Sequence, residues 1–163
     1  MKDLSQIRLV FIKEAALVPR EFLEQAPDMP WSAKDFYENY NFYAESPFSF
    51  LYAIIDRADM DDPQKGVLWL TIDPMSKTLI GNFVSIKKEY QAAGLYRKIV
   101  VPYVLEMKKQ LKLRHLCWIT TRAKAYEKMG GAEFVRGKLV KPGIYRRSKL
   151  VLMEIAEEEN EQE

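Results

Sequence analysis

Cysteine and histidine are almost missing from this sequence of 163 residues, which contains one of each, Cys117 and His115. A single cysteine cannot form a disulfide within the chain, and the two side chains together cannot supply the three or four ligands of an ordinary zinc site. We therefore expect no bound metal, and the composition disfavours metal-thiolate and serine–histidine catalysis. Cys117, between Leu116 and Trp118, is predicted to lie in the core.

Long apolar runs are also missing. A membrane-spanning helix needs about 20 consecutive apolar residues, and no segment of the sequence approaches that length. The most apolar early stretch, residues 7–18, is interrupted by Arg8, Lys13 and Glu14, so it does not have the apolar region of a signal peptide. We expect a cytoplasmic protein with no membrane partner.

The remaining composition, 48% hydrophobic and 29% charged, is typical of one soluble globular domain. A chain of this size buries roughly 70% of the surface that its unfolded state exposes, so it can fold without disulfides or metals. We expect residues 1–156 to form a single domain. The glutamate-rich segment 157–163 is expected to be a disordered tail. Nothing in the sequence indicates the oligomeric state.

Charge is distributed unevenly along the chain. Residues 1–85 contain 8 Lys/Arg and 13 Asp/Glu (net −5), residues 86–150 contain 17 and 4 (net +13), and residues 151–163 contain 0 and 6 (net −6). A basic block between acidic segments predicts a polyanionic ligand, of which phosphate is the simplest. Nucleic acid is the other polyanion, but the sequence has no helix-turn-helix, zinc-finger or ribonucleoprotein motif.

The apolar pattern predicts helices in the first quarter of the chain and mainly strands after it. Ser5 is placed to cap a first helix that Pro19 would break, and Pro102 would kink a later helix near Val101. The predicted helices are Ser5–Gln25, Ala33–Tyr43, Ala92–Leu113 and Ala123–Met129; the predicted strands are Phe48–Asp56, Gly66–Ile72, Thr78–Ile86, His115–Thr121, Phe134–Val140 and Lys149–Ile155. An antiparallel meander joined to a strand-helix-strand unit predicts an α/β fold with a mixed sheet of about 6–7 strands and helices on both faces.

The segment from Ile86 to Lys98 runs from a predicted strand through small residues into a predicted helix. Small side chains there would leave backbone N–H groups exposed, and the N–H groups at a helix start have no partner within the helix. These donors lie at the positive end of the helix dipole, where a diphosphate is stabilised. Arg97 and Lys98 add positive charge beside them.

The residues Glu89-Tyr90-Gln91-Ala92-Ala93-Gly94-Leu95 resemble the acyl-CoA pyrophosphate loop of the GNAT superfamily of N-acetyltransferases, whose pattern is Arg/Gln-x-x-Gly-x-Gly/Ala. Downstream, the segment 125–134 is similar to the Tyr-x-x-x-Gly-Phe segment of that family. The resemblance covers roughly residues 48–155 and implies a GNAT-like sheet, with acetyl-CoA or another acyl-CoA as the cofactor. The cofactor-binding residues that it implies are Ile86, Gln91, Ala92, Ala93, Gly94, Leu95, Tyr96, Arg97 and Arg122.

The resemblance also implies a reaction, in which an amine attacks the thioester directly and a tyrosine protonates the leaving thiolate. Tyr126 matches that tyrosine, and a phenol with a pKa of ~10 keeps its proton until the thiolate forms. Strand 78–86 has no carboxylate to act as a base, so Asn82 or Ser85 would position a water there. The implied function is N-acyl transfer from acyl-CoA to a small-molecule or protein amine.

Three departures from the family pattern favour a second hypothesis. Tyr96 occupies the last small position of the loop, Gly131 replaces an aromatic residue, and Thr120-Thr121-Arg122 replaces an asparagine. In this hypothesis the chain is a GNAT-like interaction module that has lost its cofactor, of the kind a phage could carry, and its basic face recruits an acidic partner. A third hypothesis, nucleic-acid binding through residues 86–150, lacks a recognised reading element.

Overall fold

The computed structural model describes residues 2–24, 36–38, 47–120, 132–133 and 151–154. Its strands are β1 (Ile7–Ile12), β2 (Ser49–Asp56), β3 (Gln64–Asp73), β4 (Thr78–Ile86), β5 (His115–Thr120), β6 (Ala132–Glu133) and β7 (Val151–Glu154). Its helices are α1 (Arg20–Glu24), α2 (Lys88–Ala92) and α3 (Val101–Gln110), with a 3₁₀ turn at Ala15–Leu17 and a π-helical turn at Tyr96–Val100. The strands form one seven-stranded sheet in the order β1-β2-β3-β4-β5-β7-β6.

The sheet is mixed, as predicted. Strands β1 to β4 form an antiparallel meander, and the chain then crosses through α2, the π turn and α3 to β5, which pairs with β4 in parallel. Strands β7 and β6 complete the sheet with antiparallel pairs. The α/β class and the strand-helix-strand unit are therefore confirmed.

The apolar core is divided between the two faces of the sheet. Along β3, Leu68 and Leu70 belong to one buried cluster, whereas Val67 and Trp69 belong to the other. This alternation follows from the two-residue period of a strand. The first cluster also contains Val104 of α3, and the second contains Phe22 of α1, so helices cover both faces.

The predicted helix Ser5–Gln25 is wrong. Residues Ile7–Ile12 form the edge strand β1, and only Arg20–Glu24 is α-helical. Ser5 caps no helix; its N–H and hydroxyl both donate to the Asp3 carboxylate at 2.9 Å. The apolar residues of this segment fit the two-residue period of an edge strand as well as an irregular helical period, and the sequence analysis chose the helix.

The predicted helix Ala92–Leu113 is divided in the structure. The break falls at Gly94, whose φ of +80° is a left-handed conformation that glycine adopts without steric cost. The irregularity expected from Pro102 takes the form of a π turn, in which Val101 N–H reaches back to the Tyr96 carbonyl. Proline has no N–H and clashes with the carbonyl four residues earlier, so a wider turn just before it relieves the clash.

Several predictions fall on residues outside the described ranges. The helix Ala123–Met129, the strand Phe134–Val140 and the tail 157–163 lie outside them, and of the helix Ala33–Tyr43 only residues 36–38 are described, as helical. The strand predicted over Lys149–Ile155 is described from Val151 to Glu154.

Candidate functional site

The pairing between the central strands β4 and β5 stops halfway along β4. It runs from Thr78 opposite His115 to Gly81 opposite Trp118, whereas β4 continues to Ile86. Beyond Trp118, β5 pairs only with β7, and the second half of β4 pairs only with β3 among the described strands. Beyond Gly81, the edge of β4 that faces away from β3 therefore has no strand partner among the described residues.

A β-bulge at Asn82 lies at the start of this unpaired half. Gly81 pairs with Leu70 and Phe83 with Trp69, so Asn82 is the extra residue of β4. Its side-chain amide donates to the Thr71 hydroxyl at 2.9 Å. Bulges increase local twist and end regular pairing, which fits the separation of β4 from β5 at this point. Of the two predicted water-positioning residues, Asn82 is held by β3 and Ser85 is buried.

Trp118 closes the paired end of the split. Its indole covers Gly81 so closely that a Cβ on that glycine would lie 1.9 Å from Trp118 Cε3. The Tyr96 ring approaches the same indole, with centroids 5.6 Å apart. Trp118 is 2% exposed, and its Nε1 has no hydrogen-bond partner among the residues that the structure describes. The sequence analysis missed this pair, although a glycine inside a strand indicates a close approach.

The predicted phosphate loop is more helical than expected. The amides of Gln91, Ala93 and Gly94 donate to the carbonyls of Lys87, Glu89 and Gln91, at 3.0, 3.3 and 3.0 Å. These three amides are therefore not exposed as the sequence analysis predicted, because residues 88–92 form a helical turn that small residues permit. The Gln91 side chain is also engaged, since its amide donates to the Ile86 carbonyl.

The next backbone amides follow Gly94, where the long helix begins; Leu95 is fully buried, whereas Arg97 is exposed. The first hydrogen bond of this helix is donated by Lys98 N–H to the Gly94 carbonyl at 2.9 Å, so the N–H groups of Leu95 and Arg97 precede it and have no acceptor within the helix. The Lys98 ammonium lies at the same point and donates to the Ala93 carbonyl at 3.1 Å. This helix start combines the amide of the exposed Arg97, which has no acceptor within the helix, with the positive end of a dipole and two cationic side chains.

The Tyr96 ring turns into the fold at this helix start. It is half-buried, packs against the core cluster that contains Leu95 and contacts Trp118. The ring therefore lies between the helix start and the paired end of the split, and connects the two parts of the candidate site.

A buried hydrogen bond anchors α2 to the sheet. Tyr90 donates its hydroxyl to Asp56 Oδ2 at 2.7 Å, and both side chains are buried. Burial, and then the hydrogen bond to Asp56, raise the pKa of Tyr90 well above its usual value. The Lys65 ammonium lies 5.4 Å from the Tyr90 ring centroid and pairs with Asp59 at 2.7 Å. These contacts fix the position from which the chain enters the candidate phosphate site.

Two predicted site residues, Arg122 and Tyr126, lie outside the described ranges. Within the described part of the chain, no group of three metal-ligating side chains occurs. No helix in that part is long and apolar enough to cross a membrane.

Comparison with solved structures identifies the architecture. A chimera of the Vibrio cholerae spermidine N-acetyltransferase SpeG and hSSAT superposes with a TM-score of 0.62 at 18% identity, over 93% of this chain and 95% of that chain. The Vibrio cholerae spermidine/spermine N-acetyltransferase SpeG with manganese gives 0.59 at 20% identity, over 93% and 92%. This chain has a GNAT-like fold. The same enzyme in complex with CoA and spermine gives 0.57 at 18% identity, over 92% and 94%.

No protein-family model matches the sequence, and no curated protein matches it either. At 18–20% identity, similarity to the acetyltransferases shows the fold alone.

Proposed function

We propose that this protein transfers an acyl group, most simply acetyl, from acyl-CoA to an amine. The observation that carries the proposal is the juxtaposition of two features: a half of β4 with no partner on its β5 side among the described strands, and a helix start with the exposed amide of Arg97 and two cationic side chains. An extended amide-containing arm fits the first feature, and a diphosphate fits the second. One molecule that carries both groups is acyl-CoA, and the CoA complex of a protein with the same fold supports this choice.

The helix start would hold the diphosphate. The N–H group of the exposed Arg97 would donate to its oxygens, and the side chains of Arg97 and Lys98 would neutralise its charge. Glycine at position 94 permits the left-handed turn that places this amide at the helix start. Of the residues named from the sequence, Gln91, Ala92 and Ala93 would support this turn from α2 rather than bind with their own amides.

The acyl-CoA would supply a thioester whose carbonyl carbon the amine attacks, so that a C–N bond forms and the C–S bond breaks. Asn82 or Ser85 would position a water that removes the proton from the amine, and Tyr126 would protonate the thiolate. Asp56, the carboxylate at the end of β2, is a poor base because it already accepts hydrogen bonds from Tyr90 at 2.7 Å and the Ala58 N–H at 2.9 Å.

We propose a small-molecule amine as the acceptor, supported by the spermine complex of the structural neighbour. Two acidic residues between β2 and β3 are not free to attract a cationic amine. Asp59 pairs with Lys65 at 2.7 Å, and Asp62 pairs with Lys87 at 2.6 Å. Each hydrogen bond with its lysine lowers the pKa of the carboxyl, so both carboxylates remain charged and paired at neutral pH.

The transferase proposal is tested by following thiol release from acetyl-CoA with three classes of amine: polyamines, aminoglycosides and peptide N-termini. We expect amine-dependent release, with the acetylated product identified by mass spectrometry, for at least one small-molecule class. The absence of amine-dependent release for every class would contradict the proposed transferase activity.

Replacing both cations at the helix start, Arg97→Ala with Lys98→Ala, is expected to raise KM for acetyl-CoA by about tenfold or more, because each charge-assisted contact contributes about 1.5–3 kcal/mol. The matched control is Lys109→Ala with Arg114→Ala, which removes one exposed lysine and one exposed arginine elsewhere. Lys109 lies at the other end of the helix, roughly 18 Å from Arg97 at 1.5 Å per residue. A KM that rises equally in both double variants would contradict the assignment of Arg97 and Lys98.

A further inference from the structure

The indole N–H of Trp118 is a buried donor that the fold leaves without a partner. Trp118 is 2% exposed, and its Nε1 makes no hydrogen bond within the described part of the chain. Burying such a group without a partner destabilises a protein by about as much as a lost hydrogen bond, so a group of this kind requires an explanation. The other described tryptophan is satisfied, because Trp69 Nε1 donates to the Ser49 hydroxyl at 3.0 Å.

Trp118 lies at the point where β4 and β5 separate. Trp118 is the last residue of β5 that pairs with β4, and its six-membered ring covers Gly81 through Cε3 and Cζ3. In an indole, Nε1 belongs to the other ring, so packing on Gly81 does not use the N–H. The ring fits in this place because Gly81 has no side chain.

Tyr96 lies at the helix start and contacts the indole of Trp118. Its backbone begins the turn that follows Gly94, and its ring lies 5.6 Å from the indole of Trp118, centroid to centroid. The Tyr96 side chain therefore connects the candidate diphosphate site with the indole. A ligand that binds its diphosphate at Arg97 and extends along the edge of β4 that has no partner among the described residues would reach Trp118 with the groups that follow the diphosphate.

We propose that Trp118 Nε1–H donates a hydrogen bond to a carbonyl oxygen of the bound cofactor's arm, and so fixes how far the arm enters the split. This inference rests on the proposed function. The arm of acyl-CoA carries two amide carbonyls and a thioester carbonyl, each of which can accept this bond. Trp118 is in this respect a positioning residue for the thioester.

The test is a two-dimensional ¹⁵N–¹H spectrum of the indole N–H groups of the full chain, titrated with CoA and with acetyl-CoA. The sequence has three tryptophans, and Trp118→Phe assigns the Trp118 signal by removing it. We expect the Trp118 signal to move downfield as its hydrogen bond forms, while the signal of the already bonded Trp69 stays in place. Movement with CoA itself identifies an amide carbonyl, and movement only with acetyl-CoA identifies the thioester carbonyl.

Two controls make the result specific. Adenosine 3′-phosphate 5′-diphosphate carries the phosphates without the arm, so it should leave the Trp118 signal in place; a shift of equal size would overturn the inference. Trp118→Phe should weaken CoA binding by about fivefold to tenfold in calorimetry, the usual contribution of one such hydrogen bond. Where Trp118→Phe does not fold, backbone-directed assignment of the wild-type indole signals replaces it.

The remaining outcomes separate this inference from the proposed function. If calorimetry shows that CoA binds while the Trp118 signal stays in place, the inference is wrong and the acyl-CoA site stands. If calorimetry shows binding of neither CoA nor acetyl-CoA, both the proposed function and this inference are wrong.

Discussion

Gly81→Ala is expected to destabilise the fold by about 3 kcal/mol or to prevent folding. The added Cβ would lie 1.9 Å from Trp118 Cε3, a separation at which atoms must move. Both residues are held by sheet pairing and the indole is buried in the core, so the strain cannot be relieved at the surface. Overpacking of this kind costs about 1–3 kcal/mol and occasionally more. Urea denaturation of the purified variant measures the change in the free energy of unfolding.

A double variant identifies the cause of this loss. Combining Gly81→Ala with Trp118→Leu removes the ring that the new methyl group meets, so the double variant should lose less stability than the sum of the two single changes. Additive losses, or a Gly81→Ala protein as stable as the wild type, would contradict the close approach of the indole to the glycine.

Tyr90→Phe is expected to cost about 1.5–3 kcal/mol, because it removes a hydroxyl that donates to the buried carboxyl of Asp56 at 2.7 Å. The matched control is Tyr37→Phe, since the Tyr37 hydroxyl donates at 2.8 Å to the neutral carbonyl of Val18 and is only partly buried. That change should cost about 0.5–1.5 kcal/mol. Chemical denaturation of both variants compares the two losses, and equal losses would contradict a special role for the Tyr90–Asp56 bond.

The strands of the meander could be predicted from the sequence because their turns have clear chemistry. Between β3 and β4, the Asp73 carboxylate accepts hydrogen bonds from the Met75 N–H at 3.1 Å and the Ser76 hydroxyl at 2.6 Å. Such aspartate turns are visible as Asp-Pro and Ser residues between apolar runs. The predicted strand Thr78–Ile86 accordingly has the same bounds as β4.

The first strand could not be predicted in the same way, because the sequence around it fits two periods. Ile7, Leu9 and Phe11 alternate as a strand requires, but Val10 and Ile12 are apolar as well. An edge strand leaves some apolar side chains exposed, and Val10 and Phe11 are 40% and 47% exposed. Local patterning cannot distinguish such a strand from a ragged amphipathic helix; pairing with β2 decides it.

The phosphate site between Ile86 and Lys98 stays a prediction. Within that range the structure has a helix start that carries the exposed side chains of Arg97 and Lys98. The motif did not show that the Gln91 side chain would donate to the Ile86 carbonyl. It also did not show that the amides of Ala93 and Gly94 would donate to backbone carbonyls of the helical turn at α2. The contact between Trp118 and Gly81 joins residues 37 positions apart, so only the tertiary structure reveals it.

The interaction-module hypothesis makes the opposite prediction for the same surface. It requires the split to remain without a thioester ligand, whereas the acyltransferase account requires the split to bind one. The departures at Tyr96 and Gly131 motivate the module hypothesis. However, the Tyr96 ring packs against the core, and the amides of Leu95 and Arg97 have no acceptors within the helix.

Isothermal titration of the full chain with acetyl-CoA tests the acyltransferase account most directly. The account predicts saturable binding at one site per chain, retained with CoA and weakened by Arg97→Ala with Lys98→Ala. An absence of binding at high micromolar acetyl-CoA, in a sample shown to be folded by its cooperative unfolding, would contradict it.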